Sequence, residues 1–314
     1  MILISPGCLG LIPNPLRAWP LAFLFLLTSL FAPNPATADW SPLIERLVAE
    51  GSDEQAIRAL FSRPDVQFEP EAMSSKLQAL LRKHAAKPAE IPPAKKKGVL
   101  KGFLKSKVIA KARSFIEDNK AVLENIPAHY GVPKEVVVSI LLVETHLGVN
   151  LGKKNAFNNL ASMALCTDLD TIRPYLARKL ITAQNEPFAR ECCRQKAEWA
   201  YTEIKALIDY AQRNGIDPIG IPGSIYGAIG LCQFMPSNIL PYGVDADQDG
   251  RIDLFAKPDA INSIANYLRE HGWTPGMNRT SRHKVIFTYN HSSVYANTVL
   301  AVADKLKDKA PGRH

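Results

Sequence analysis

Apolar positions along this chain recur mainly at helical spacing. Leu43, Ile44, Leu47 and Val48 fall three or four residues apart, as one buried helix face requires. Runs that alternate apolar and polar positions are scarce, so the pattern predicts a mostly α protein and argues against a parallel sheet. Further faces are predicted at Ile57, Leu60 and Phe61; Met73, Leu77, Leu80 and Leu81; Val108, Ala112, Phe115 and Ile116; Trp199, Ile204, Leu207, Ile208 and Tyr210; and Ala260, Ile261, Ile264, Ala265 and Leu268.

Breaks in this pattern divide the chain into four segments. Residues 1–38 have the layout of a cleavable export signal, with Arg17, an apolar core over residues 21–31 and a small-residue cleavage site at its end. The core is shorter than the roughly 20 residues of a membrane-spanning helix, and an uncleaved anchor is the alternative. Cys8 precedes the apolar core, so no lipid anchor is expected. Residues 39–86 predict a helical region, residues 87–101 a Pro- and Lys-rich connector, and residues 102–310 the main domain.

The most apolar stretch of the main domain ends on a carboxylate. Pro133 and Glu135 suit the first turn of a helix and Gly148 suits its cap, although the valine run could also form a buried strand. Glu144 follows this run, where burial and the negative helix end would raise its pKa. A carboxyl that stays protonated near neutral pH suits a general acid. The alternative is an exposed glutamate, or one paired with an arginine.

A second segment, residues 223–237, combines small residues with isolated polar ones. Small residues let the backbone approach a ligand closely, and Ser224 and Gln233 supply polar groups in an otherwise apolar stretch. A tight loop packed on the core would have the same composition. The composition of this segment alone therefore does not distinguish a ligand-binding loop from a packed one.

A third segment, Asp245 to Asp253, has the spacing of the first half of an EF-hand calcium loop. Carboxylates at alternate positions can converge on one ion, and Gly250 permits the sharp turn. The twelfth position, where a bidentate glutamate is expected, is Ala256, and Asp259 could close a longer loop instead. An Asp-rich surface turn is the alternative.

Charge and cysteine content add weaker constraints. The net charge of +8 suits an acidic polymer as partner, or it serves solubility. Export and the lack of a recognised binding motif argue against nucleic acid. Four cysteines follow the signal (Cys166, Cys192, Cys193 and Cys232), which permits disulfides in an exported chain without fixing their connectivity, and a pair of Cys166 with Cys192 or Cys193 is the hypothesis. No CxxC or HExxH motif supports a zinc or thiol-redox site.

Together the three segments resemble the B family of lytic murein transglycosylases, which are exported bacterial enzymes with a lysozyme-like α-rich core. The resemblance covers residues 102–304 and fits residues 40–87 only loosely. It is carried by Val143-Glu144-Thr145 with Gly148, Gly223-Ser224, Gln233-Phe234-Met235-Pro236-Ser237, the Asp245–Asp259 loop, Ala265-Asn266-Tyr267-Leu268, His271-Gly272-Trp273 and Tyr289-Asn290-His291-Ser292-Ser293.

This resemblance implies a periplasmic enzyme whose partner is the peptidoglycan glycan strand. Glu144 would protonate the glycosidic oxygen between N-acetylmuramic acid and N-acetylglucosamine, and would then deprotonate the muramoyl C6 hydroxyl to give a 1,6-anhydro product. The implied substrate-binding residues are Ser224, Gln233, Tyr267, Tyr289 and Asn290. The implied ligands of a structural Ca²⁺ are Asp245, Asp247, Asp249, the carbonyl of Arg251, and Asp259.

Departures from the family pattern keep two alternatives open. Cys232 stands where the family usually has glycine, Tyr226 replaces a small residue, and the substrate segment after Leu160 is not recognisable. A non-catalytic peptidoglycan-binding protein is therefore one alternative. The other is a lysozyme-like hydrolase, which would need a second carboxylate such as Asp168 or Asp170.

Overall fold

The chain is described here by a computed structural model over residues 38–85 and 98–307, and helices make up most of those residues. The predicted signal segment lies outside them up to residue 37, and the predicted connector up to residue 97. The expectation of a mostly α protein is confirmed.

The helices of the described residues differ widely in length, from single turns to α10, which has 29 residues. In chain order they are α1 Ser41–Ala49, α2 Glu54–Phe61, α3 Glu71–Ala85, α4 Ser106–Asp118, α5 Lys120–Leu123, α6 Ile126–Tyr130, α7 Lys134–Thr145, α8 Ala156–Leu165, α9 Leu169–Ile172, α10 Glu186–Asn214, α11 Ile239–Tyr242, α12 Lys257–Glu270, α13 Arg279–Tyr289 and α14 Ser293–Lys307. Short 3-10 helices lie at Lys101–Leu104, Arg173–Tyr175, Pro218–Gly220 and Pro236–Asn238.

Within the described residues the only sheet has two very short strands. β1 (Lys154–Asn155) pairs antiparallel with β2 (Pro222–Gly223), with Lys154 opposite Gly223. Two isolated bridges, Gly223 with Ile229 and Ile229 with Phe234, continue the pairing. This small ladder fixes the loops around residues 224 and 233 to the start of α8.

Helix α7 occupies the centre of the core. Pro133 precedes its first turn, and the apolar residues that follow are buried on nearly every face, including Val137, Ile140 and Leu141. Helices α4, α12 and α14 pack around it. A helix that is apolar all round is stable only when neighbours cover it completely, so the valine run forms a buried helix and not a strand.

The N-terminal helices share this core. α1 and α3 pack on α8, and α3 also packs on α10. Buried residues of the N-terminal helices, such as Leu47 and Met73, belong to the same apolar cluster as Leu141 of α7. The region predicted over residues 39–86 therefore contributes to the core and to the surface beside it.

The cysteine prediction was wrong. Cys166, Cys192, Cys193 and Cys232 are all buried free thiols. The Cys193 thiol donates a hydrogen bond to the backbone carbonyl of Cys166, 3.0 Å away, and burial raises the pKa of both thiols. The packing of α10 against the end of α8 directs this thiol to a backbone acceptor, which spacing along the chain cannot reveal.

Candidate active site

Glu144 lies in the last turn of α7, at the edge of the buried core. The residue is half-buried, and burial raises the pKa of its carboxyl to about 7. Tyr295, in the first turn of α14, is the one side chain that opposes this shift. Its hydroxyl is buried and has no direct hydrogen-bond partner among the described residues. The phenol therefore lies beside the Glu144 carboxyl and lowers its pKa, against the larger effect of burial.

The backbone just after Glu144 adopts a conformation that is rare outside glycine. His146 and Leu147 have φ angles of 52° and 65°. The prediction that Gly148 caps this helix was wrong, because α7 ends at Thr145 with His146 as its cap. The amide of Leu147 bonds back to the carbonyl of Leu141 and closes the helix early. Left-handed backbone at non-glycine residues costs energy and is concentrated at functional sites.

Thr145 connects this helix end to the loop that carries Gln233. Its hydroxyl lies 3.0 Å from the carbonyl of Leu231 and 3.2 Å from that of Leu141, and it accepts the Gly148 amide at 3.0 Å. Thr145 is fully buried, so these contacts are shielded from water. The loop is therefore fixed against the residue that follows Glu144.

Cys232 lies between this helix end and α13. Its thiol is fully buried, which raises its pKa to about 12, and the nearby charge of Glu144 adds to the shift. The hydroxyl of Tyr289 donates a hydrogen bond to the carbonyl of Cys232. Glu144, Cys232 and Tyr289 are therefore neighbours, although they come from three separate parts of the sequence.

Aromatic rings pack tightly beside this group. Phe234, Tyr267 and Tyr289 have centroid separations of 5.0 to 5.8 Å, and Tyr267 also stacks on His271 at 3.8 Å. The Tyr267 hydroxyl donates to the carbonyl of Thr288 at 3.0 Å. Because the hydroxyls of both tyrosines have internal acceptors, the half-buried Tyr289 can offer a ligand mainly ring surface, whereas Tyr267 is only 5% exposed and packs behind the Tyr289 ring.

The side chains of Ser224 and Gln233 each retain an unused hydrogen-bonding group. The hydroxyl of Ser224 accepts the amides of Ala228 at 3.0 Å and Tyr226 at 3.3 Å, which leaves its own proton available to donate. The side-chain amide of Gln233 donates to the carbonyl of Gly230 at 3.0 Å, which leaves its oxygen available to accept. Gln233 has a φ of 51°, so its backbone is also strained.

Asn290 caps the end of α13 and is exposed. Among the described residues its side chain makes no hydrogen bond, so both its donor and its acceptor are free. Asn290 directly follows Tyr289, which places it next to the aromatic group. The structure thus brings Glu144, Gln233, Tyr267 and Tyr289 together through shared neighbours, with Ser224 and Asn290 on adjoining loops.

Tyr295 is the site residue that the sequence analysis missed. It lies six positions after Tyr289, just beyond the motif that ends at Ser293, and it is buried beside Glu144. Burial raises its pKa well above the ordinary value, and the charge of Glu144 adds to this. The sequence signal that could have identified it is a tyrosine among the mostly small and apolar residues on the buried face of α14.

The aspartate loop before α12 forms a cluster of oxygen ligands. Carboxylate oxygens of Asp245, Asp247 and Asp259 lie within 4.8 Å of one another. Asp259 is buried and accepts the amides of Ala246 at 2.8 Å and Asp253 at 2.7 Å. Burial raises the pKa of Asp259, and the two neighbouring carboxylates add to the shift. Hard oxygen donors that repel one another in this way suit Ca²⁺.

Asp249 and Arg251 have other roles in the same loop. The carboxylate of Asp249 accepts the Arg251 amide at 2.8 Å, and Asp249 lies outside the converging group. Its own amide donates to Asp245 at 3.2 Å. Asp249 therefore shapes the turn, and its role as a ligand remains a prediction.

The two candidate second carboxylates are engaged in ion pairs. Asp168 pairs with Arg190 at 2.9 Å, and Asp170 pairs with Arg173 at 2.7 Å and with Arg190 at 3.1 Å. Both are exposed on the α9–α10 surface. Among the described residues no carboxylate contributes to the raised pKa of Glu144.

Comparison with known proteins decides the family. A family model described as the transglycosylase SLT domain matches residues 36–282. The chain belongs to this family. The resemblance drawn from the three sequence segments is thereby confirmed.

Solved structures from this family share the fold. Lytic transglycosylase Slt35 of Escherichia coli, solved in complex with calcium, is 22% identical, with a TM-score of 0.63 over 88% of this chain and 94% of that chain. SltB3 of Pseudomonas aeruginosa, solved in complex with NAG-anhNAM-pentapeptide, is 21% identical, with a TM-score of 0.63 over 86% of this chain and 78% of that chain. The likeness confirms the predicted fold class.

One curated relative is closer in sequence than these structures are. Membrane-bound lytic murein transglycosylase B of E. coli strain K12 is 35% identical over 147 residues, which is 47% of this chain and 34% of the relative. The matched region thus spans about a third of that protein. Within the described residues no single helix is long and apolar enough to cross a membrane, and one pair of helices bent by 117° (residues 120–130 and 134–145) passes that test together.

Proposed function

We propose that this SLT-domain protein is a peptidoglycan lytic transglycosylase with Glu144 as its catalytic acid and base. The observation that carries the proposal is the half-buried Glu144 carboxyl, with a pKa of about 7 that owes nothing to a second carboxylate. A group with that pKa can donate a proton and take one back near neutral pH. The curated relative, a lytic murein transglycosylase, supports the substrate class.

The proposed reaction uses one carboxyl twice. Protonated Glu144 donates its proton to the oxygen between N-acetylmuramic acid and N-acetylglucosamine, and the bond to the muramoyl C1 breaks. The acetamido oxygen of the muramoyl ring stabilises the positive charge at C1. The Glu144 carboxylate then takes the proton of the C6 hydroxyl, whose oxygen bonds C1. The 1,6-anhydro product forms, and Glu144 returns to its protonated state.

A hydrolase is the weaker proposal. Hydrolysis with a carboxylate pair needs a partner about 5 to 9.5 Å from the acid. Such a partner would add its charge to the pKa of Glu144, and none of the described residues does so. Asp168 and Asp170, the candidates from the sequence, are neutralised by arginines. The SltB3 neighbour, solved with an anhydro-sugar ligand, also favours the non-hydrolytic route.

The proposed substrate contacts follow from the free polar groups. Ser224 would donate to a sugar oxygen, the oxygen of Gln233 would accept from a hydroxyl or acetamido N–H, and Asn290 would do either. The half-buried Tyr289 would pack against a sugar ring, and the buried Tyr267, whose ring centre lies 5.0 Å away, would hold the Tyr289 ring in place. The protein covers one side of the Glu144 carboxyl, and a bound sugar would cover the other side and exclude the remaining water.

A structural Ca²⁺ is part of the proposal. Asp245, Asp247 and Asp259 would hold the ion, with Asp249 and the Arg251 carbonyl as the further ligands implied by the resemblance. The calcium complex of Slt35 supports the assignment. The ion would neutralise repulsion among carboxylates and tie the loop to α12.

The cellular location and the domain organisation of the protein are also part of the proposal. We propose that residues 1–38 direct export and that the enzyme acts in the periplasm, where its substrate lies. Residues 39–86 would form the N-terminal helical region, residues 87–101 the connector and residues 102–310 the catalytic domain.

The test is mass spectrometry of fragments released from purified sacculi. The wild type should release fragments that end in 1,6-anhydromuramic acid, and Glu144→Gln should lower release by about a thousandfold while staying folded. Glu117→Gln, an exposed glutamate of α4, is the matched control and should change nothing. Hydrated reducing ends would establish a hydrolase. Binding to sacculi without any release would establish a non-catalytic wall protein.

A further inference from the structure

Two half-buried lysines lie on neighbouring helices, α3 and α10, and the first of them contacts the turn that contains Ser224. Lys76 belongs to α3, and its ammonium lies 4.5 Å from the ring centre of Tyr226. Lys196 belongs to α10, which packs against α3. Burial lowers the pKa of Lys76, and the positive charge of Lys196 lowers it further. The two ammonium groups are therefore close enough to repel each other.

Neither lysine has a carboxylate partner among the described residues. The acidic side chains that share their helices are already occupied. Glu71 pairs with Lys154, Glu191 pairs with Arg194, and Glu198 accepts two hydrogen bonds from Arg46. Half-burying two unneutralised positive charges side by side costs free energy, which an external anion would recover.

The position of Tyr226 connects this pair of lysines to the proposed sugar site. The Tyr226 amide donates to the hydroxyl of Ser224 within one tight turn. The turn cannot shift easily, because a side chain at Gly227, where φ is 84°, would lie 2.5 Å from Leu160. A ligand that bonds to Ser224 therefore lies beside the turn that carries the Tyr226 ring, over which the Lys76 ammonium is placed.

We infer that Lys76, Lys196 and Tyr226 form a binding site for a carboxylate of the peptide stem attached to the muramoyl residue. The inference rests on the proposed function, because it assigns part of the same substrate. Ammonium groups suit an anion, and the Tyr226 ring fixes Lys76 by a cation–π contact while leaving its N–H donors free. Stem peptides carry free carboxylates unless these are amidated, and glycan strands without stems expose only the lactyl carboxylate.

The experiment uses three forms of one muropeptide oligomer: stems with free carboxylates, stems with amidated carboxylates, and strands stripped of stems. The wild type should have a KM about fivefold lower for the free-carboxylate form than for the amidated form, which is the size of effect that one partly exposed ion pair supplies. Lys76→Ala and Lys196→Ala should each reduce this preference with kcat unchanged. Lys76→Arg should retain most of it. Lys83→Ala, which removes an exposed charge from the same helix, should leave it unchanged.

Other outcomes overturn the inference in distinct ways. If Lys76→Ala lowered kcat/KM equally for all three forms, Lys76 would have only a structural role. A loss on stripped strands without a loss on the amidated form would assign the site to the lactyl carboxylate and not to the stem. If the wild type cleaves none of the forms, the proposed function fails. The inference is then decided by fluorescence anisotropy, which measures how tightly the same labelled oligomers bind to Glu144→Gln. Equal affinity for free and amidated stems would refute it.

Discussion

The hydroxyl of Thr145 lies 3.0 Å from the carbonyl of Leu231 and so joins the residue after Glu144 to the residue before Cys232. Both ends of this hydrogen bond are buried, and the same hydroxyl accepts the amide of Gly148. Through this one side chain the position of the carboxyl on α7 is fixed relative to the loop of Gln233. A catalytic acid must keep such a position to within about an ångström to act on a bound glycosidic oxygen.

Replacing Thr145 with valine keeps the shape and removes the hydroxyl. We expect Thr145→Val to lower the free energy of unfolding by about 1–2 kcal/mol, because two buried backbone groups lose their partner. We also expect kcat to fall roughly tenfold, because the loop can move relative to Glu144. Urea unfolding and sacculus digestion measure the two effects. Thr202→Val, whose hydroxyl bonds only to its own helix, should alter neither. An unchanged kcat would show that the loop position is set elsewhere.

The pKa of Glu144 predicts the pH dependence of cleavage. The acid must be protonated in the free enzyme, and its pKa is about 7. The value of kcat/KM should therefore be level below pH 7 on this limb and fall about tenfold per pH unit above it. Initial rates on a soluble muropeptide oligomer, between pH 5 and 9, give the profile. A limb centred near pH 4.5, the ordinary carboxyl value, would mean that Glu144 is solvated in the working enzyme.

The same shift makes stability depend on pH. Because the folded pKa of Glu144 exceeds the unfolded one, its contribution is fully present below about pH 4.5 and is lost as pH rises through 7. Glu144→Gln has no charge to bury. The variant should thus gain about 2 kcal/mol over wild type between pH 4.5 and 8, after allowance for the partial exposure of this residue. Thermal unfolding across that range tests this, and Glu117→Gln should show no such gain.

The local sequence pattern predicted the helix that carries Glu144 well and the surroundings of that helix poorly. A leading proline and a run of apolar residues were sufficient to place Glu144 at the end of a buried helix. Tyr295 was missed because its approach to Glu144 depends on how α14 packs against α7, 151 positions apart in the chain. Gly148 was predicted as the cap because glycine usually takes left-handed backbone, but here the left-handed cap is His146, and the Gly148 amide donates to the hydroxyl of Thr145.

Removing the Tyr295 hydroxyl should make Glu144 a weaker acid. This phenol is the group that lowers the carboxyl pKa against the larger effect of burial. In Tyr295→Phe the alkaline limb of kcat/KM should therefore move to higher pH, by about half a unit to one unit. Tyr175→Phe removes an exposed hydroxyl and serves as the control. A limb that stays in place would show that the phenol does not act on Glu144, and a limb that moves down would reverse the sign of its effect.

Calcium should stabilise the fold through the aspartate loop. An ion that binds only the folded state adds about 2.7 kcal/mol at a hundred times its Kd, which corresponds to several degrees in Tm for a chain of this size. Asp247→Asn removes the charge of an exposed member of the converging group and should abolish most of this increase, because Ca²⁺ affinity falls as the number of charged ligands falls. Asp118→Asn, an exposed aspartate of α4, should keep it. Differential scanning fluorimetry with added calcium or chelator measures the change. An equal Tm in both conditions would show that calcium does not stabilise the fold and would contradict the assignment.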